Sequence, residues 1–154
     1  MIIRVSYNAF WFGHFKEYTG RLTTGTFTYK DISGTQFVNT LPGVDTVAFP
    51  TSLDTLTKSQ AYDMQWGGSP ILADESVGIF IGSWTWGQDA AYLQTNDAAN
   101  NVIFGTGQLS TLPVGPSTLY MDRAMTKTLA QKTTVGGTIT AKYRARTKVV
   151  QVVN

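Results

Sequence analysis

Residues 138–154 read T-I-T-A-K-Y-R-A-R-T-K-V-V-Q-V-V-N and carry the clearest structural signal in this chain. Up to position 149, apolar or small side chains occupy most odd positions, while polar or charged side chains occupy the even positions. Successive side chains of a strand point to opposite faces of the sheet. The alternation therefore predicts a β-strand with one buried and one solvent-exposed (wetted) face.

The wetted face of this predicted strand is basic. Four of the chain's twelve Lys and Arg residues lie on it, namely Lys142, Arg144, Arg146 and Lys148. Such a row could remain in solvent and keep a sheet edge from aggregating, could meet an acidic patch on a neighbouring protein, or could contact the phosphates of a nucleic acid. Tyr143 has the opposite parity, so no aromatic side chain alternates with the cations, which argues against nucleic acid.

The length of the predicted strand also matters. A continuous strand over residues 138–154 would extend about 50 Å, well beyond the usual five or six residues. We expect it either to bend across two sheets or to leave the domain at its end and add a strand to a neighbouring subunit. The predicted assembly or partner-binding residues are Lys142, Arg144, Arg146, Lys148, Val150 and Val152.

Length and composition indicate a single β domain. The 154 residues suit one domain spanning 1–154, and none of them is cysteine. The chain contains 15 Gly and is rich in Thr, and only 14% of its residues are charged, against a usual figure of about 25%. Thr, Val and aromatic residues favour strands. The predicted fold is mainly β, an antiparallel, jelly-roll-like β-sandwich with a β-barrel as the alternative, and with at most one or two short helices.

Several further segments give local predictions. Strands are expected at 21–30, 35–40, 44–49, 76–87 and 101–105, with 76–87 buried at the middle of the core. Residues 52–64 carry a helix start signal and a thin apolar stripe, which predicts the best helix candidate. Residues 105–116 should form a long loop, and 126–134 should form a hairpin with the C-terminal strand. The interval 88–100 looks like a polar, turn-rich connection.

Aromatic residues form two groups that could serve binding. The N-terminal group is expected in the core or in a subunit interface, with a stacking platform as the alternative, and consists of Phe10, Trp11, Phe12 and Phe15. A second group would stack on sugar rings if the chain were a carbohydrate-binding module, and consists of Trp66, Trp84, Trp86 and Tyr92.

The residues that could support catalysis are few. His14 is the only histidine, and the adjacent Asp74 and Glu75 would point to opposite faces of a strand. A glycosidase needs two carboxyl groups facing each other, so this pair is expected to be solvated. We predict no catalytic residues, no metal site and no cofactor. Neither a signal peptide nor a membrane-spanning stretch is expected.

The threonine-rich, cysteine-free, weakly charged β chain with a candidate exchange strand resembles the small structural proteins of bacteriophage virions, of the capsid-decorating (cement), tail or fibre type. That resemblance implies a non-enzymatic homo-oligomer, with a trimer as one option, located at the capsid or tail surface. It implies a larger structural protein, such as a major capsid protein, as partner, and neither nucleic acid nor membrane. The alternative function is a carbohydrate-binding β-sandwich module that uses exposed Trp and Tyr side chains.

Overall fold

The computed structural model describes residues 6–8, 13–82 and 87–154. It confirms the mainly β prediction, with 50% strand, 3% helix and one short helix in a half-barrel or sandwich-like fold. The elements are β1 Ser6–Asn8, β2 Gly13–Phe15, β3 Thr24–Lys30, β4 Gln36–Pro42, β5 Thr55–Thr57, β6 Tyr62–Gln65, β7 Glu75–Gly82, β8 Ala90–Gln94, β9 Asn101–Phe104, α1 Thr106–Leu109, β10 Gly115–Thr128, β11 Thr138–Arg144 and β12 Lys148–Val153.

The long strand β10 is the centre of the main sheet. One edge of β10 pairs antiparallel with β7, which pairs in turn with β8. The other edge pairs with β12 along its first half and with β11 along its second half. β12 also pairs with β5, in parallel. The sheet therefore runs β5-β12-β10-β7-β8, with β11 following β12 along the same edge of β10.

Alternation along β7 and β10 divides this sheet into a core face and an outer face. The odd residues of β7, including Val77, Ile79 and Ile81, are buried, as are Leu119 and Met121 of β10. The strand predicted at 76–87 is thus confirmed for residues 76–82, where its odd side chains face the core. The even residues of both strands form the opposite side, which we call the outer face.

Two smaller sheets cover the core face. The β6–β9 pair contributes Met64 and Phe104 to the same hydrophobic cluster as Ile79 and Leu119. The Phe104 ring lies 4.6 Å from that of Tyr92 on β8, which joins the two layers. The β3–β4 hairpin is anchored separately, through a second cluster formed by Leu41, Val44 and Met125.

Several local predictions were wrong. Residues 52–64 form β5, a tight turn and β6 instead of a helix, because Leu56 pairs into the sheet beside β12 while Met64 fills the core. Residues 44–49 contain only an isolated bridge between Ala48 and Gly67. The interval predicted as a connection contains β8, whose Ala90 and Tyr92 are buried. The one helix among the described residues, α1, lies in the predicted loop at 105–116.

The C-terminal segment is two strands separated by a bulge. Asp122 faces Arg144 and Leu119 faces Lys148, so four residue steps on the C-terminal segment oppose three steps on β10. One extra residue in a strand moves every side chain after it to the opposite face of the sheet. Consequently Val149 is 61% exposed whereas Val150 and Val152 are each 1% exposed, which corrects the predicted continuous alternation.

Candidate functional site

The outer face of the main sheet carries exposed side chains from β8, β10, β11 and β12. Strand pairing aligns its residues in rows across the sheet. One row runs from Leu93 through Gly78 and Asp122 to Arg144. The next rows contain Ala91, Phe80 and Tyr120, then Gly82, Thr118 and Val149. With strands about 4.8 Å apart, a row of four residues spans about 15 Å.

The centre of the outer face is apolar. Leu93 is 69% exposed and Val149 is 61% exposed. Between them lie the half-buried rings of Phe80 and Tyr120, tilted against each other with centroids 6.1 Å apart. An antiparallel sheet with one solvated face normally carries polar side chains there. Exposed leucine and valine side chains on this face are typical of a surface that a partner covers.

The outer face carries charged side chains at its β11 end, and these side chains form ion pairs with one another. Arg144 donates two hydrogen bonds to Asp122, of 2.8 and 2.9 Å, and Lys142 Nζ lies 3.4 Å from Asp122 Oδ2. Burial acts to raise the pKa of Asp122, but the hydrogen bonds and charges of Arg144 and Lys142 outweigh it and hold that pKa below its usual value. The same hydrogen bond and the Asp122 charge raise the pKa of Arg144.

The predicted row of four cations is therefore broken up. Because of the bulge, Lys148 lies on the opposite face from Lys142, and its Nζ is 3.2 Å from Asp54 Oδ1 and 3.0 Å from the Thr51 carbonyl. Arg146 is exposed within the bulge. Lys142, Arg144 and Lys148 thus each pair with an acidic residue of their own chain, and contact of these cations with acids of a neighbour stays a prediction.

The predicted assembly residues Val150 and Val152 lie in the core of their own chain. Their strand is paired on one side with β10 and on the other with β5. Both edges of β12 are thereby occupied within the chain. Extension of this segment to a neighbouring subunit stays a prediction, one that would require these pairings to be exchanged between copies.

The predicted aromatic sites have different outcomes. Phe10, Trp11, Phe12, Trp84 and Trp86 lie outside the described residues, and Phe15 is the last residue of β2. Trp66 and Tyr92 are 5% and 8% exposed. Burial also raises the pKa of the Tyr92 hydroxyl to about 12. Trp66 and Tyr92 are therefore core residues, and neither presents a ring face to a sugar.

A buried ion pair is the polar feature that the sequence did not indicate. Arg123 and Glu75 are 1% and 5% exposed, are bonded to each other, and are among the residues that line an open cleft of about 690 Å³. Arg123 also donates to the carbonyls of Ser69 and Pro70, at 2.8 and 2.9 Å. These bonds occupy its nitrogens, so the pair fastens the loop before β7 to β10. Glu75 is thus not a solvated carboxylate, in contrast to the prediction.

Within the described ranges, no group of three or more His, Cys, Asp and Glu side chains is placed to hold a metal ion. None of the helical residues there form a segment long and apolar enough to cross a membrane.

Leu93 was not among the predicted site residues because β8 was not recognised as a strand. The sequence signal for this strand was the pattern A-A-Y-L-Q, in which Ala90 and Tyr92 face the core.

Searches against protein-family models, curated proteins and solved structures found no match to this chain.

Proposed function

We propose that this chain is a non-enzymatic structural protein of a virion, which assembles with copies of itself through the outer face of the main sheet and attaches to a larger structural protein such as a major capsid protein. The apolar centre of that face, with Leu93 and Val149 exposed, is the observation that carries the proposal. The composition supports it, since only 14% of the residues are charged.

A second copy of the chain is the occupant that the outer face fits. Four strands and nine residues of β10 cover about 600 Å² in projection, close to the roughly 800 Å² per partner of a standard interface. The face has an apolar centre and a charged end at Asp122, Lys142 and Arg144, as interfaces with a dry core and a polar rim do. Two such faces related by a twofold axis would pack sheet against sheet about 10 Å apart.

Leu93→Asp tests the self-assembly directly. Light scattering coupled to size-exclusion chromatography should give an oligomer for the wild-type chain and a monomer for Leu93→Asp, because each copy would bury an unpaired carboxylate. Ile103→Asp is the matched control, since Ile103 is 53% exposed on β9 and lies off the outer face. A monomeric wild-type chain, or equal dissociation by both variants, would contradict the proposed interface.

The virion location needs a separate experiment. Mass spectrometry of purified phage particles that encode the chain should find it in stoichiometric amounts relative to the major capsid protein. It should also remain bound through sedimentation of intact particles. Detection only in the host lysate, with none in the particles, would contradict the structural role while leaving the oligomer result in place.

A further inference from the structure

A second surface, separate from the outer face, lies where two hairpins meet. The β3–β4 hairpin and the loop joining β10 to β11 enclose a groove of about 370 Å³. Small-molecule sites commonly occupy about 300–1,000 Å³, so the groove suits one small ring. Its walls come from the inner side of the hairpin and from residues 129–136.

The groove is held in shape by paired amides. The Asn39 side chain donates to the Gln131 carbonyl at 2.7 Å, and the Gln131 backbone N–H donates back to Asn39 Oδ1 at 2.9 Å. Gln131 Oε1 also accepts a hydrogen bond of 2.7 Å from the Val38 backbone. Asn39 is 5% exposed. These bonds fix the loop against the hairpin, so a ligand would meet a largely preformed site.

One wall of the groove is aromatic. Tyr29 and Phe37 are cross-strand partners whose rings stack with centroids 6.1 Å apart and planes 26° apart. Tyr29 is 43% exposed and Phe37 is half-buried. Rings that served only the core would be covered more completely. These two instead present flat apolar area to the space between the hairpins.

Hydrogen-bonding groups border the aromatic wall. Lys132 and Thr133 lie beside the groove, and Lys132 forms no ion pair with any side chain in the described part of the chain. A pyranose ring has an apolar C–H face that packs on aromatic rings and a periphery of hydroxyls that bond to amide, hydroxyl and ammonium groups. We infer that the groove is a binding site for a single pyranose ring, stacked on Tyr29 and Phe37 and bonded by Lys132 and Thr133.

This inference does not depend on the proposed assembly. The carbohydrate-binding alternative placed its stacking residues elsewhere, at Trp66 and Tyr92, which are buried. Tyr29 and Phe37 belong to a hairpin that is not part of the main sheet. Disruption of the outer face by Leu93→Asp should therefore leave the groove intact.

Saturation-transfer NMR on the full chain tests the site, with D-glucose, D-galactose and N-acetyl-D-glucosamine as probes at up to about 20 mM, since a shallow site is expected to bind with a dissociation constant of about 1 mM. At least one sugar should receive saturation at its ring protons, and glycerol, which has hydroxyls but no ring, should receive none. Tyr29→Ala should weaken binding at least tenfold, and Tyr29→Phe should retain it within threefold. Lys132→Met should weaken it severalfold while keeping the aromatic wall.

Val38→Ala is the matched control, because Val38 lies on the opposite side of the same hairpin and is 41% exposed. It should bind like the wild-type chain, as should Leu93→Asp. Absence of transfer to all three sugars would overturn the inference, and so would binding that Tyr29→Ala and Lys132→Met leave unchanged. If Tyr29→Ala dissociated an oligomer, the groove would be a contact between copies and the sugar site would be excluded.

Discussion

Arg123 shows how one residue can tie together distant parts of this chain. It occupies a core-facing position of β10 among Met121 and Met125, where an apolar side chain is the usual choice. Its bonds to Glu75 and to the carbonyls of Ser69 and Pro70 offset the cost of removing the guanidinium from water. Because every partner precedes or begins β7, the residue fixes the entry of the chain into the main sheet.

Removal of one member of the buried pair should be strongly destabilising. Arg123→Met keeps an unbranched apolar stem but leaves the Glu75 carboxylate buried without its cation. We expect the free energy of unfolding to fall by about 3–5 kcal/mol, measured by urea denaturation. Arg21→Met is the control, since the Arg21 side chain is 58% exposed where it pairs with Asp45 and such a pair contributes about 0–1 kcal/mol. Equal losses in both variants would contradict the structural role of Arg123.

At the scale of elements, the bulge between β11 and β12 explains most of what happens to the C-terminal segment. β11 presents Lys142 and Arg144 to the outer face, while β12 turns Lys148 and Val150 towards the core side. A segment that pairs with one long edge of β10 can thus serve both faces of the same sheet. The bulge also divides the predicted basic row, so that Lys142 and Arg144 pair with Asp122 whereas Lys148 pairs with Asp54.

The two adjacent valines of β12 provide a matched test of this change of face. Val150→Ala removes apolar volume at a site that is 1% exposed and should lower the unfolding free energy by about 1.5–3 kcal/mol. Val149→Ala, at 61% exposure, should change it by less than about 0.5 kcal/mol when measured on dilute monomer. Thermal or urea unfolding of both variants decides the register, and the reverse order of effects would show that no bulge is present.

Strand positions were predictable where alternation was long and regular. The parity of β7 and β11 followed from period-2 patterns. The hairpin predicted for residues 126–134 was right only in part, because the strand ends at Thr128 and residues 129–137 form the connection to β11. The bulge could not be predicted, because a one-residue insertion leaves no compositional mark and depends on the register against β10. The helix prediction for residues 52–64 failed for a related reason, because the strand partner of Leu56 lies almost a hundred residues away on β12.

At the scale of the whole molecule, the class of fold was accessible from composition but the candidate site was not. Exposed Leu93 and half-buried Phe80 become neighbours only when β8 pairs with β7, and the groove forms only when two hairpins distant in sequence meet. Cation positions, by contrast, were visible in the sequence although their partners Asp122 and Asp54 were not. Surface chemistry could thus be enumerated from the sequence, whereas its arrangement depends on sheet topology.

Removal of residues 148–154 tests whether the whole domain depends on β12 to fold. This deletion takes away β12, which separates β10 from β5 and places Val150 and Val152 in the core. Burial of these two valines alone is worth about 1.5–3 kcal/mol each, a large part of the roughly 5–15 kcal/mol that stabilises a typical domain. We expect the shortened chain to lose its cooperative thermal transition and its near-ultraviolet circular dichroism, whereas a chain lacking only the exposed Asn154 should behave as wild type. A shortened chain that folds as a monomer with an unchanged transition would show that β12 is dispensable to its own domain, and its valines would then be free to join a neighbour.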